Sequence, residues 1–142
     1  MIAGLGIDLC DPARVARLSP AARARIFTPA ELSHASGRAE TLAGIFAAKE
    51  SLVKALPGIG LMTVLRETEI RYDASGAPRV AVSETLAKRL GAVRLFVSIT
   101  HDAGLAAAVV VAEATTVVET TAVVETTTAE TMAVETTPGE NG

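Results

Sequence analysis

Residues 41–56, TLAGIFAAKESLVKAL, constrain this chain more than any other stretch. Alanine and leucine dominate and Pro57-Gly58 ends the run, so a helix is predicted over 41–56. At helical pitch Leu42, Ile45, Phe46, Leu52, Val53 and Leu56 form one apolar stripe. Lys49 falls in the middle of it, Glu50 at its edge, and Lys54 one turn beyond Glu50 on the same side. An ammonium among apolar side chains is costly unless a fixed anion meets it. Lys49 therefore has two readings: an internal salt bridge, or a cation pointed with Glu50 and Lys54 toward one shared place. A carboxylate with two ammoniums suits a metal ion and phosphates. For Lys54 the simpler reading, on the helix alone, is an exposed pair with Glu50.

With 142 residues the chain can form one domain with a modest core. No apolar run is long enough to span a bilayer without a charge or glycine. The start, MIAGLGIDL, has no basic leader and reads as a strand, so no secretion signal is expected. The single cysteine, Cys10, excludes an internal disulfide and makes the cytoplasm the expected compartment; its expected place is in the core, with no chemical role. The net charge of -3 hides an asymmetry. Residues 114–142 hold five Glu and no Lys or Arg, which leaves 13 basic against 11 acidic residues in 1–113. Arg14, Arg17, Arg23 and Arg25 cluster near the start, as a solvated helix face or as a surface for an acidic protein. Only 3% of residues are aromatic and Trp is absent, which argues against single-stranded nucleic acid, whose binding sites stack bases on aromatic rings.

Residues 2–9 alternate as a strand. Leu5, Ile7 and Leu9 point one way, and Gly4, Gly6 and Asp8 the other. The glycine face implies close approach by a ligand or another backbone. Asp8 ends the strand and is free for chemistry, because Asp11-Pro12 already supplies the cap and first turn of the next helix. Ser19-Pro20 opens a second short helix. Thr28-Pro29-Ala30-Glu31 has capping-box spacing and opens a third, ending near Gly37, with His34 read as a surface residue. Beyond Pro57-Gly58-Ile59-Gly60 a flexible loop is expected, then a hairpin of strands 66–72 and 79–82. Ser83 caps a short helix before Gly91, and strands at 94–100 and 105–112 flank a tight turn at 101–104. That last hairpin is expected to gather Ser98, Thr100, His101 and Asp102 at one end, either as a phosphate cradle or as partners for the turn's own backbone. Residues 114–142 read as a low-complexity Thr/Val/Glu tail, with VVETT at 117–121 and 123–127, expected to be disordered and dispensable for chemistry.

Three stretches in this order, GLGIDL with Asp8, FAAKESLVKAL with Lys49, Glu50 and Lys54, and SITHD with His101, resemble the small phosphopantetheinyl transferases, the family of the holo-acyl-carrier-protein synthases. The likeness covers residues 1–113, including a Gly-x-Pro turn at Gly76-Ala77-Pro78. It implies an α+β fold, an antiparallel sheet packed against the long central helix, and a homotrimer with each site between two subunits. It implies transfer of 4'-phosphopantetheine from coenzyme A to a serine of an apo-acyl-carrier protein, releasing 3',5'-ADP. By the same resemblance Asp8 and Glu50 would hold Mg²⁺ on the diphosphate and Lys54 would neutralise phosphate. Lys49 and His101 would lie near the nucleotide or the diphosphate, and Arg14 would dock the acidic carrier. The Gly76–Pro78 loop would come from the neighbouring subunit. The serine proton would go to Glu50 or to a water on the metal.

The chain departs from the family pattern in two places. Ile45 stands where a basic residue is usual, and Ala77 where lysine is usual. Both changes remove positive charge expected near the nucleotide phosphates. They define the alternative reading, a divergent, catalytically weak paralogue that binds carriers or coenzyme A. A metal-dependent nucleotide hydrolase is a third reading, which predicts phosphate release without a carrier.

Overall fold

The computed structural model describes residues 1–115, which form five strands and six helices. In chain order these are β1 (Ile2–Cys10), α1 (Pro12–Ala16), α2 (Pro20–Ile26), α3 (Pro29–Ala35), α4 (Ala39–Ala55), α5 (Leu61–Glu67), β2 (Thr68–Tyr72), β3 (Pro78–Val82), α6 (Glu84–Leu90), β4 (Val93–Asp102) and β5 (Leu105–Ala114). The capping chemistry read from the sequence sets the short helices. Asp11, Ser19 and Ser83 each accept a backbone N–H of the first turn, and Thr28 with Glu31 forms the full capping box. The expected loop after Gly60 is instead helix α5, whose residues Val64 and Leu65 are buried. The tail expectation falls outside the described residues, apart from Ala114, which ends β5, and Thr115, whose N–H donates to Ala92.

Two antiparallel sheets result. One has the order β1-β5-β4, and the other is the β2-β3 hairpin. The central helix α4 lies across the first sheet and fixes the glycine face of β1. A Cβ on Gly4 would lie 1.9 Å from the Ala55 carbonyl oxygen, and one on Gly6 would lie 2.0 Å from that of Ser51. The close approach inferred from these glycines is therefore to the backbone of α4 in the same chain; neither a ligand nor a second subunit is needed to explain it. Ser51 completes the contact by donating to the Ala108 carbonyl of β5. Gly44 plays the same part for β4, where a Cβ would meet Ile99 and the His101 ring. Gly6→Ala is expected to push β1 off the helix and destabilise the fold by about 1–3 kcal/mol, read as a lowered melting temperature.

The other face of this sheet is apolar and open. Leu5, Ile7 and Leu9 are 58%, 60% and 61% exposed, and Phe96 of β4 is 43% exposed. The register lines them into rows: Leu5 beside Val111 beside Phe96, and Ile7 beside Val109 beside Ser98. A contiguous apolar sheet face of this kind marks an interaction surface.

The second sheet packs on α3, α4 and α5 through Thr68 and Ile70, both buried. His34, read as an unpartnered surface residue, stacks on Tyr72 of β2 with ring centroids 4.0 Å apart and an interplanar angle of 12°.

Candidate active site

The corner where β1 ends against α4 brings Asp8 and Lys54 together. Lys54 donates to Asp8 Oδ1 at 2.8 Å and to the Ile7 carbonyl at 2.7 Å. It pairs with Asp8, not with Glu50 as the helix alone implied. The lysine is 50% exposed, so the pair adds little to stability, about 0–1 kcal/mol. Its effect is geometric: two fixed acceptors hold the ammonium, and its third N–H stays available. Asp8 keeps its second carboxylate oxygen without a protein partner among the described residues.

Glu50 sits one helical turn before Lys54 on α4. It is half-buried and has no hydrogen-bond or ion-pair partner among the described residues. The Cys10 thiol reports how the groups converge. Burial pushes its pKa up, Arg14 opposes this, and Asp8, Asp11 and Glu50 reinforce it. One buried atom thus feels carboxylates from β1 and α4 and a guanidinium from α1. Arg14 stands over the Phe46 ring, 5.7 Å from its centroid. Phe46 lies one turn before Glu50, so Phe46, Glu50 and Lys54 form a single i, i+4 line along the open edge of α4. Reading Phe46 only as part of the core stripe missed its place in this line; its four-residue spacing from Glu50 was the available signal.

Among the described residues no group of three or more His, Cys, Asp or Glu is arranged to hold a metal. Asp8 and Glu50 remain a pair of hard oxygen donors, each with an uncommitted oxygen. That donor set fits Mg²⁺, which keeps several waters and takes only one or two protein carboxylates.

Three assignments are corrected. Lys49 does not reach the site: its side chain is fully buried, pairs with Glu31 at 2.8 Å and donates to the Ile26 carbonyl at 2.9 Å. The internal salt bridge is the right reading, and Glu31, first seen as a cap only, is its anion as well as the acceptor for Thr28 and Ile70 N–H. Ile45, four residues before Lys49, is likewise fully buried, so it is core and not a missing phosphate contact. Ser98 and Thr100 do not share a cradle with His101. Alternation along β4 turns them to the open sheet face, whereas His101 Nε2 lies 2.9 Å from the Glu40 carbonyl at the start of α4. Gly76 and Pro78 lie on the β2-β3 turn, where Asp73 holds the loop by accepting from Ser75, Ala77 and Arg79; those bonds keep its carboxyl down at about 2. No bond joins this turn to Asp8, Glu50 or Lys54 among the described residues.

The largest open cleft, about 620 Å³ and lined by Arg25, Met62 and Arg66, is not at this corner. A smaller one of about 350 Å³ is walled by Ile7, Asp8, Leu9 and Lys54. The smaller is the better candidate, because Asp8 and its paired Lys54 wall it, with Glu50 one helical turn before Lys54 on α4; a shallow cleft suits a site completed by a second chain.

Residues 4–110 match the 4'-phosphopantetheinyl transferase superfamily. The chain is similar to a holo-[acyl-carrier-protein] synthase of Clavibacter michiganensis subsp. michiganensis, 45% identical over 120 residues, which cover 80% of this chain and 97% of that one. Among solved structures it resembles the Mycobacterium tuberculosis acyl carrier protein synthase, with a TM-score of 0.67, 36% identity, and coverage of 81% of this chain and 100% of that one. It also resembles the Helicobacter pylori holo-[acyl-carrier-protein] synthase in complex with coenzyme A, with a TM-score of 0.69, 31% identity, and coverage of 77% and 99%. The chain belongs to the 4'-phosphopantetheinyl transferase superfamily, and its α+β fold is that of the acyl carrier protein synthases.

Proposed function

We propose that this chain is a holo-acyl-carrier-protein synthase, transferring 4'-phosphopantetheine from coenzyme A to a serine of an apo-acyl-carrier protein and releasing 3',5'-ADP. The observation that carries the proposal is the Asp8–Lys54 pair at the cleft edge, with Glu50 one helical turn before Lys54 on α4, in a family whose relatives carry that name. Asp8 and Glu50 would hold Mg²⁺, which when bound neutralises charge on the diphosphate oxygens. Lys54 offers its free N–H to a phosphate oxygen, and its two fixed contacts hold it in position. The serine oxygen bonds to phosphorus as the bond to the leaving nucleotide breaks. Glu50 is the candidate to take the serine proton.

His101 at the head of α4 and the Gly76–Pro78 turn would contact the nucleotide, the turn from a neighbouring subunit. The open face bearing Leu5, Ile7, Leu9 and Phe96 supports a homotrimer, because a face this apolar needs a cover. Sedimentation should give the mass of three chains; a monomer at assay concentration would count against a shared site. A cytoplasmic location belongs to the same reading, with the lone reduced Cys10 in its favour.

Arg14, exposed beside the cleft with its guanidinium over Phe46, would dock the acidic carrier. Arg14→Glu should raise KM for the carrier at least about tenfold while leaving coenzyme A binding within about twofold. Equal loss of both, by steady-state kinetics, would remove Arg14 from docking. The weak-paralogue reading loses one of its two supports, since Ile45 is core; Ala77 remains. Release of one 3',5'-ADP per carrier consumed, followed by chromatography, tests the reaction itself. Nucleotide release without carrier would instead indicate hydrolysis.

A further inference from the structure

The arginines of α1, α2 and α5 are left without anions. Arg14, Arg17, Arg23, Arg25 and Arg66 form no ion pair among the described residues, although six other basic side chains there do. Arg23 donates to the Ala16 carbonyl, yet its buried Nε has no partner. Arg25 and Arg66 both line the cleft of about 620 Å³, whose other walls include Phe27, Thr28, Met62 and Leu65. Met62 is 54% exposed. The cleft thus has cationic and apolar walls side by side, which calls for a ligand that alternates acid with apolar groups.

The chain supplies such a segment. Residues 116–142, outside the described structure, contain Glu119, Glu125, Glu130, Glu135 and Glu140 and no Lys or Arg. Val-Glu-Thr-Thr occurs there three times, at 118–121, 124–127 and 134–137, so that a valine precedes a glutamate each time. The point of departure is also favourable. Thr115 is tied to Ala92, and the edge where β1 begins and β5 ends shares a cleft with Leu56, Pro57 and Ile59, the loop that leads into α5. Glu125 lies ten residues past Thr115, a reach of about 33 Å, longer than the roughly 25 Å of α4.

We propose that the acidic segment 116–142 docks on the arginine surface of α1, α2 and α5, its glutamates against Arg25 and Arg66 and its valines against Met62 and Leu65, and there competes with the acidic carrier. The competition rests on the carrier-docking role proposed for Arg14, at the α1 end of this surface; the docking itself does not. Exposed charge pairs of this kind are weak singly and screened by salt, so the effect belongs to low ionic strength. The segment acts as a tethered competitor: it raises KM for the carrier and leaves turnover and coenzyme A binding untouched.

Two measurements on the full chain test this. A nitroxide placed at Thr126→Cys should broaden amide resonances of residues 17–25 and 62–66, and the broadening should vanish with R25E/R66E or in high salt. The variant E119Q/E125Q/E130Q/E135Q/E140Q should lower KM for apo-carrier about threefold or more at low salt, with kcat and coenzyme A KM unchanged, and the difference should close in high salt. Absent broadening, or broadening indifferent to R25E/R66E, overturns the docking. Broadening with an unchanged carrier KM overturns the competition. If the protein transfers nothing to any carrier while the broadening stands, the reaction assignment has failed and the docking has not.

Discussion

Glu50→Gln lowers the transfer rate at least about a hundredfold and moves the melting temperature by no more than about 2 °C. The two effects separate because of where Glu50 lies. Its carboxylate is half-buried on the open edge of α4, with no hydrogen-bond or ion-pair partner among the described residues, so the amide breaks no contact of the fold. It does remove a negative charge from Asp8 and Glu50, the carboxylates proposed to hold the divalent cation, and it removes the candidate base. Added Mg²⁺ should restore part of the loss if the charge mainly held the metal, and none if Glu50 mainly moved the proton. Full activity in this variant, measured by carrier mass, would take Glu50 out of the site.

Lys49→Met destabilises the protein by about 3–5 kcal/mol, the largest stability effect expected at any single position here. The neighbour Glu31 is also fully buried, and it accepts from Thr28 N–H, Ile70 N–H and the lysine at once. Removing the ammonium strands that carboxylate in the core next to the Ile26 carbonyl, which loses its donor as well. The double variant E31Q/K49M should recover part of the loss, because the amide oxygen can still accept a backbone N–H without a charge. Denaturant melts of the two variants check both statements. A loss under about 1 kcal/mol would mean that the pair is solvated in the folded protein.

Helices α1, α2, α3 and α6 were legible because their caps are local chemistry: Asp11, Ser19, Thr28 with Glu31, and Ser83 each satisfy donors within three residues. The pairing of Asp8 with Glu50 as candidate site residues came by a different route, from the motif set, since nothing local connects residues 42 positions apart. What escaped is what only tertiary packing decides. The Gly4/Gly6 face looked equally ready for a ligand or a backbone, and the answer depended on α4 lying within a van der Waals radius of β1. Lys49 and Lys54 sit five residues apart on one helix, and nothing local told which would be sealed against Glu31 and which would reach Asp8. The SITHD stretch was read as one cluster, but a strand sends neighbours to opposite faces, so His101 meets α4 while Ser98 and Thr100 face the open side of the sheet.

Intact-mass spectrometry of an apo-acyl-carrier protein, incubated with this protein, coenzyme A and Mg²⁺, tests the central claim most directly. The account predicts a mass gain of one phosphopantetheine per carrier, abolished by EDTA and absent with Glu50→Gln. A folded protein that binds coenzyme A yet leaves the mass of every carrier unchanged would contradict it, and would place this member of the family among carrier-binding or coenzyme A-binding proteins without transferase activity.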